Sequence, residues 1–195
     1  MVSVYALKPG FQSLLRPLVG RCAAWSVTPN QITWLACLLS VGLGADLANG
    51  SGRWLLLPLF LLVRMALNAM DGMLARDYGL ATPGGAVLNE LTDAVADAAL
   101  TLPFVAVTGP VGVGLAIFFA LLAEMAGVVG SVVGGGVRRY HGPFGKSDRA
   151  VALGAAGTWL ALGWPVAHWA PVGLISAWVL LCAVTIWNRG RANAR

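Results

Sequence analysis

Residues 68–93 read NAMDGMLARDYGLATPGGAVLNELTD, two largely apolar segments joined by a Thr-Pro-Gly-Gly turn. Before the turn, polar side chains recur in steps of four and three residues, at Arg64, Asn68 and Asp71. After the turn, they recur in steps of four residues, at Asn89, Asp93 and Asp97. Such steps place each set on one face of an α-helix. The stretch therefore predicts two consecutive helices whose polar faces meet.

The composition of the whole chain indicates that lipid is its solvent. The 195 residues are 58% hydrophobic and 11% charged, whereas soluble domains carry about 25% charged residues. The net charge of +5 does not indicate a nucleic-acid partner, because the basic residues form short clusters between apolar runs. The three cysteines lie far apart without metal-ligand spacing, which excludes a disulfide framework and a zinc site.

Six apolar runs of about 18 residues or more are long enough to cross a hydrocarbon core of ~30 Å. We expect spans at residues 31–48, 54–76, 85–107, 111–134, 150–169 and 171–188. Residues 5–27 differ, because Leu14, Leu15, Leu18 and Val19 can share one face while Arg16 and Arg21 project elsewhere. This pattern predicts an amphipathic helix in the membrane interface, with a partly ordered arm as the alternative. The chain is thus predicted to be one all-α integral membrane domain over residues 1–195.

The basic residues predict the orientation of these spans. Six spans place both termini on one side, and all but two of the 13 Lys and Arg residues fall on that side. The exceptions are Arg53, on the opposite side, and Arg64, inside the second span. The positive-inside rule therefore predicts cytoplasmic termini, with the polar faces near the cytoplasmic end of the bundle.

Ionisable residues inside the predicted spans point to a functional site, because each costs about 2.5 kcal/mol or more at membrane depth. They are Arg64, Asp71, Glu90, Asp93, Asp97 and Glu124. Convergent carboxylates repel one another and need cations, and oxygen ligands suit Mg²⁺ or Mn²⁺ completed by substrate phosphates. For Arg64 and Glu124, a structural ion pair with each other is an equally good interpretation.

The spacing Asn68-x-x-Asp71-Gly72-x-x-Ala75-Arg76, eight residues, then Gly85-x-x-x-Asn89-x-x-x-Asp93 resembles a known signature. It is similar to DxxDGxxAR(x)8GxxxDxxxD of the CDP-alcohol phosphotransferases. The six-helix plan and the segment Thr28-Pro29-Asn30-Gln31 also match. The resemblance implies transfer of a phospho-alcohol group from a CDP-linked donor, usually CDP-diacylglycerol, to an acceptor hydroxyl, releasing CMP during phospholipid biosynthesis. It also implies a multi-pass protein of a bacterial cell membrane, in contact with lipid, and a homodimer.

The resemblance implies roles for individual residues. The general base falls on Asp93, and the ligands of one or two Mg²⁺ or Mn²⁺ ions fall on Asp71, Asp93, Asn68 and Asn89. The positions that match donor contacts are Thr28, Pro29, Asn30, Gln31, Gly72, Ala75, Arg76, Thr82 and Gly85. Lys146 and Arg149 match basic residues near the acceptor pocket, although contact with lipid headgroups is an equally good interpretation.

Two signature aspartates are asparagines here, Asn68 and Asn89. An amide oxygen can bind a hard cation but adds no negative charge, so Glu90 and Asp97 would have to join the site to balance two divalent ions. Three interpretations follow: a divergent transferase, a CDP-lipid-binding pseudoenzyme, and a small proton- or cation-coupled transporter. The retained Asp71, Gly72, Arg76, Gly85 and Asp93 favour the transferase.

Overall fold

The computed structural model describes residues 8–133 and 142–193. In these ranges the chain forms helices joined by turns and loops, and no strand. The helices, in chain order, are α1 (Lys8–Ala24), α2 (Pro29–Ala48), α3 (Leu56–Asp77), α4 (Pro83–Thr101), α5 (Val105–Val133), α6 (Lys146–Ala161) and α7 (Ala170–Asn193). A short 3-10 helix, Leu102–Phe104, connects α4 to α5. The predicted all-α class is confirmed for the described residues.

Within the described residues, four segments are long and apolar enough to cross a membrane: Pro29–Ala48, Leu56–Asp77, Pro83–Val133 and Ala170–Arg191. The third is 51 residues long and is broken at Gly109, whose φ of 72° interrupts the helix just before Pro110. The helix α6 has only 16 residues, fewer than the ~20 that a straight span needs. The count of six spans therefore remains a prediction.

The predicted span at 150–169 is misplaced, because α6 begins at Lys146 and ends at Ala161. At its start, the backbone N–H of Gly145 donates to Asp148 Oδ2 at 2.9 Å, which stabilises an earlier first turn. At its end, Gly163 has a φ of 65°, a left-handed conformation that terminates helices. The break left between the predicted spans 85–107 and 111–134 coincides with Gly109, where the helix is interrupted; Leu102–Phe104 form a 3-10 turn within the part that precedes it.

The N-terminal helix α1 packs on α3 through Leu15 and Val19, which are buried. Leu14 and Leu18 are exposed, whereas Leu15 and Val19, one turn apart, meet Met73 and its neighbours in α3. At helical spacing, all four residues lie on one side of α1. The helix itself is confirmed, and its location in the membrane interface remains a prediction.

The core lies where α3 meets its neighbours, around Leu57 and Leu61 of α3 with Leu100, Phe104 and Leu153. Helix α2 packs closely on α4 at Gly44, where a Cβ atom would collide with the backbone carbonyl of Ala99. This close contact holds α4, the helix that carries Asn89 and Asp93, in position against α2.

We expect Gly44→Ala to destabilise the protein by about 1–3 kcal/mol, the usual cost of overpacking against backbone that cannot move aside. Thermal unfolding in detergent would measure it. Gly42→Ala is the matched control, because Gly42 lies in the same helix and its Cβ would meet nothing within 4 Å. Equal unfolding temperatures for the two variants would contradict the close packing of α2 on α4.

Candidate active site between α3 and α4

The helices α2 and α4 begin side by side. Thr28 caps α2, because its Oγ1 accepts the N–H of Gln31 at 3.3 Å while Gln31 Oε1 accepts the N–H of Thr28 at 2.9 Å. Thr82 caps α4 by accepting the N–H of Gly85 at 3.0 Å. A Cβ on Gly85 would lie 2.9 Å from Asn30 Oδ1, so the two N-termini touch. Adjacent helix N-termini favour an anionic group at this point.

Arg76 lies one turn after Gly72 at the C-terminal end of α3. A Cβ on Gly72 would be 2.9 Å from the Nη1 atom of Arg76, so the glycine makes room for this guanidinium. Arg76 is exposed, whereas Asp71 is buried directly beside this turn. This part of the signature thus places the carboxylate of Asp71 inside the bundle and the guanidinium of Arg76 at the bundle surface.

The two asparagines and two aspartates form two cross-helix pairs. Asn89 Nδ2 of α4 donates to Asp71 Oδ2 of α3 at 3.0 Å. Asn68 Nδ2 of α3 donates to Asp93 Oδ1 of α4 at 3.0 Å. Each pair combines one charged and one neutral side chain, so the faces of α3 and α4 meet through hydrogen bonds rather than repulsion between carboxylates.

The two aspartates differ in their surroundings. Asp71 is 5% exposed, and Thr33 Oγ1 donates to its Oδ2 at 2.9 Å. Among the described residues, no Lys or Arg forms an ion pair with Asp71. Asp93, in contrast, forms ion pairs with Arg64 at 3.2 Å and with the ammonium group of Lys146.

An ion-pair network continues from Asp93 into the bundle. Asp97 Oδ1 accepts from Arg64 at 2.5 Å, and its Oδ2 lies 3.3 Å from Arg149 Nη2. Arg149 Nη2 also donates to Glu124 Oε1 at 2.8 Å, and Glu124 Oε2 lies 3.7 Å from Arg189 Nη1. The network therefore joins α3, α4, α5, α6 and α7 around the candidate site.

Some of these pairings differ from those that the sequence favours. Arg64 pairs with Asp93 and Asp97, while Glu124 pairs with Arg149 and Arg189, so the suggested Arg64–Glu124 pair is replaced. Arg149 is 2% exposed and faces the interior. The sequence does not identify Arg189 as a site residue. A basic residue near the end of the last apolar helix also fits the positive-inside rule. No signal in a single sequence distinguishes such a residue from a headgroup contact.

The candidate site contains carboxylate oxygens, the ligand type that hard divalent cations prefer. Within residues 8–133 and 142–193, no three His, Cys, Asp or Glu side chains form a group that could hold a metal ion. Asp97 has both carboxylate oxygens in ion pairs, and Glu90 is half-buried on α4. Asp71 and Asp93 carry carboxylate oxygens, which suit a hard divalent cation such as Mg²⁺ or Mn²⁺ completed by substrate phosphates, whereas Asn68 and Asn89 turn their amide NH₂ groups towards these carboxylates.

The chain is similar to known proteins over most of its length. The family model for CDP-alcohol phosphatidyltransferase matches residues 26–187. The inner membrane protein YnbA of Escherichia coli is 41% identical over 189 residues, covering 92% of this chain and 94% of that protein. An uncharacterized protein of Aquifex aeolicus is 40% identical over 100 residues, covering 51% of this chain and 48% of that protein.

These similarities agree with the apolar helices and with the signature residues between α3 and α4. The chain is an integral membrane protein, and its family supports a phosphotransfer role in phospholipid synthesis. Proteins of this family use a CDP-alcohol donor, an alcohol acceptor and divalent metal ions. The chain belongs to the CDP-alcohol phosphatidyltransferase family.

Proposed function

We propose that this protein transfers a phosphatidyl group from a CDP-linked lipid, of the CDP-diacylglycerol type, to an acceptor hydroxyl and releases CMP. The observation that carries the proposal is the pair of carboxylates between α3 and α4: Asp71 accepts a hydrogen bond from Asn89, and Asp93 accepts one from Asn68. This arrangement combines a site for a cation with a base, the two functions that such a transfer needs.

The donor would lie with its pyrophosphate at the joined N-termini of α2 and α4. Backbone N–H groups there, with the exposed guanidinium of Arg76, suit a diphosphate. Residues Thr28 to Gln31 at the start of α2 would contact the nucleotide, and the other positions that we propose to contact the donor are Gly72, Ala75, Thr82 and Gly85. Asp71 would help to hold a divalent cation, which would supply positive charge to the pyrophosphate.

Asp93 would accept the proton of the acceptor hydroxyl. The acceptor oxygen then attacks the phosphorus that carries the lipid, the bond from that phosphorus to the oxygen bridging to the CMP phosphate breaks, and CMP leaves. Lys146, which is 32% exposed in its side chain, would meet a negatively charged acceptor and draw away from Asp93. Arg149 is enclosed by Asp97 and Glu124, so we assign it the role of positioning Asp97 rather than contacting the acceptor directly.

We further propose that the site opens on the cytoplasmic side of a bacterial inner membrane, with both termini on that side. The excess of Lys and Arg on the terminal face supports this orientation. A reporter enzyme that is active only in the cytoplasm, fused to the C-terminus, would test this orientation. No activity from this reporter, together with activity from a C-terminal reporter that works only outside the cytoplasm, would contradict the orientation.

The proposed activity is tested with purified protein in lipid, radiolabelled CDP-diacylglycerol, and a panel of phosphorylated and neutral alcohols with Mg²⁺ or Mn²⁺. We expect CMP release that depends on one acceptor and stops when a chelator is added. The Asp71→Asn variant, prepared in the same way, should release far less CMP than the wild-type protein. If no acceptor supports CMP release in the wild-type protein, the proposal fails.

A second candidate is a pseudoenzyme that binds CDP-lipids without turnover. One observation favours it, namely that Asp93 is engaged on both oxygens by Arg64, Asn68 and Lys146. Metal-dependent binding of CDP-diacylglycerol without CMP release for any acceptor would support this candidate. A cation transporter, in contrast, does not account for the family to which the chain belongs.

A further inference from the structure

The two carboxylate oxygens of Asp93 have different kinds of partner. Oδ1 accepts hydrogen bonds from Asn68 Nδ2 at 3.0 Å and from Arg64 Nη2 at 3.2 Å. Oδ2 is paired with the ammonium group of Lys146. A hydroxyl can transfer its proton only to an oxygen that lies within hydrogen-bonding reach. The partners of Oδ1 and Oδ2 therefore determine which oxygen can take the proton of an acceptor.

The cation beside Oδ1 is held in place. Arg64 is 4% exposed, and it also donates to Asp97 Oδ1 at 2.5 Å and to the backbone carbonyl of Asp93 at 3.2 Å. Moving this guanidinium would leave a buried charge without its counter-charge, which is costly. We therefore expect Oδ1 to keep its partners while a substrate binds.

The cation beside Oδ2 can move. The side chain of Lys146 is 32% exposed, and that of Asp93 is 21% exposed. A lysine carries its ammonium group on a flexible four-carbon chain, and exposed ion pairs are weak enough for another anion to replace one partner. Oδ2 is therefore the oxygen that an acceptor hydroxyl can reach, once the ammonium group has moved aside.

The backbone before Lys146 is held against α7. The N–H of Phe144 donates to Thr185 Oγ1 at 3.1 Å, and its ring packs on that of Trp178 with 4.9 Å between the centroids. A Cβ atom on Gly142 would collide with Thr185, so the backbone is close to α7 there as well. Because this segment cannot shift without breaking these contacts, the side chain of Lys146 moves while its backbone stays beside the site.

A base at a partly exposed site is accessible to water as well as to an alcohol. If water attacked the phosphorus that carries the lipid, its proton would pass to the base, the bond to the CMP phosphate would break, and phosphatidic acid and CMP would form. Enzymes avoid such side reactions by keeping water away from the reacting groups. An ammonium group on Oδ2 of Asp93 keeps water from donating a proton there.

We propose that Lys146 makes the transfer conditional on a negatively charged acceptor, because its ammonium group occupies Oδ2 of Asp93 until the charge of the acceptor draws it away. The acceptor hydroxyl then donates to Oδ2, whereas water and neutral alcohols lack the charge that makes this oxygen accessible. This inference rests on the proposed function and specifies the regulation of the same site. Lys146 is thus a specificity-determining residue, and its ion pair with Asp93 is an inhibitory contact.

Hydrolysis of the donor without an acceptor tests this inference. Full-length protein in lipid is incubated with CDP-diacylglycerol and Mg²⁺, and phosphatidic acid and CMP are measured. We expect Lys146→Met to form both in equal amount at least about 10-fold faster than the wild-type protein, because an accessible base accelerates such a step by about 10²–10⁴-fold. The variant should also use glycerol, a neutral alcohol, as an acceptor.

Lys8→Met is the matched control for this experiment. Lys8 begins α1 and is the only other lysine of the chain, so its replacement should leave the rate of hydrolysis at the wild-type value. A folded Lys146→Met protein that hydrolyses the donor no faster than the wild-type protein would overturn the inference.

Nuclear magnetic resonance tests the exchange of partners without relying on activity. In protein with ¹³C-labelled lysine and Lys8→Arg, Lys146 gives the only lysine signal. With Mg²⁺ present in nanodiscs, glycerol phosphate should shift this signal to saturation and glycerol should not. Asp93→Asn should shift the signal without a ligand and bind glycerol phosphate about fivefold more tightly, because the carboxylate no longer competes for the ammonium group. Asp46→Asn, outside the site, should leave the signal unchanged.

The two measurements keep this inference separate from the proposed function. CMP release by the wild-type protein, together with a Lys146 signal that responds neither to Asp93→Asn nor to glycerol phosphate, would overturn the inference and leave the transferase intact. Movement of Lys146 from Asp93 to glycerol phosphate, without CMP release for any acceptor or variant, would support the exchange of partners and refute the transferase.

Discussion

Replacing Asp93 with Asn should lower the rate of CMP release by about 10²–10⁴-fold, the usual contribution of a general base. The amide has the shape of the carboxylate but cannot accept the acceptor proton. Its carbonyl oxygen can still accept the hydrogen bond from Asn68 that holds α3 against α4. Initial rates with saturating donor and acceptor would measure the effect.

Asp46→Asn is the control for this change. Asp46 lies in α2, outside the candidate site, and pairs with Arg53 and Ser51, so its loss should leave the rate of CMP release unchanged. The Asp93→Asn protein should also retain the wild-type elution profile and helical content. A rate for Asp93→Asn within a few-fold of wild type would show that another group takes the proton.

Replacing Arg149 with Met should destabilise the folded protein by about 3–5 kcal/mol, the usual cost of removing one partner from a buried ion pair. Arg149 bridges Asp97 and Glu124 from within the bundle, so both carboxylates lose a counter-charge when it is removed. Thermal or denaturant unfolding in detergent would measure the loss, and a fall in the yield of folded protein would accompany it.

Arg53→Met is the comparison for this prediction. Arg53 also pairs with an aspartate, Asp46, but its side chain is largely exposed, and exposed pairs contribute at most about 1 kcal/mol. We therefore expect little change in stability. Similar losses for the two variants would show that the network around Arg149 is not a buried structural element. The double variant Arg149→Met with Glu124→Gln should recover part of the stability, because it removes one of the two carboxylates that lose the charge of Arg149.

The sequence predicted the part of the site that depends on helical spacing. Asn68, Asp71, Asn89 and Asp93 lie on regular steps, and their hydrogen bonds across α3 and α4 follow directly from two facing helices. Apolar length likewise predicted α2 and α3 to within about two residues. Local spacing is sufficient in these cases because the residues belong to two consecutive helices joined by a short turn.

The pairing partners of the charges could not be predicted in this way. Arg149 reaches Asp97 and Glu124, and Arg189 reaches Glu124, across helices that are distant in sequence. Their positions depend on how α6 and α7 pack on α3 and α5, which residue spacing does not specify. The end of α6 was predicted too late for a local reason. The prediction followed the apolar residues, whereas the left-handed conformation of Gly163 determines where the helix stops.

The most direct test of phosphatidyl transfer follows the phosphorus atom itself. CDP-diacylglycerol labelled in the phosphate next to the lipid is incubated with the purified protein, Mg²⁺ and each acceptor, and the lipids are then separated. We predict that the label appears in a new phospholipid, in equal amount to the CMP released, only when the acceptor is present. Label that stays in the donor with every acceptor, or that is recovered only as phosphatidic acid, would contradict phosphatidyl transfer.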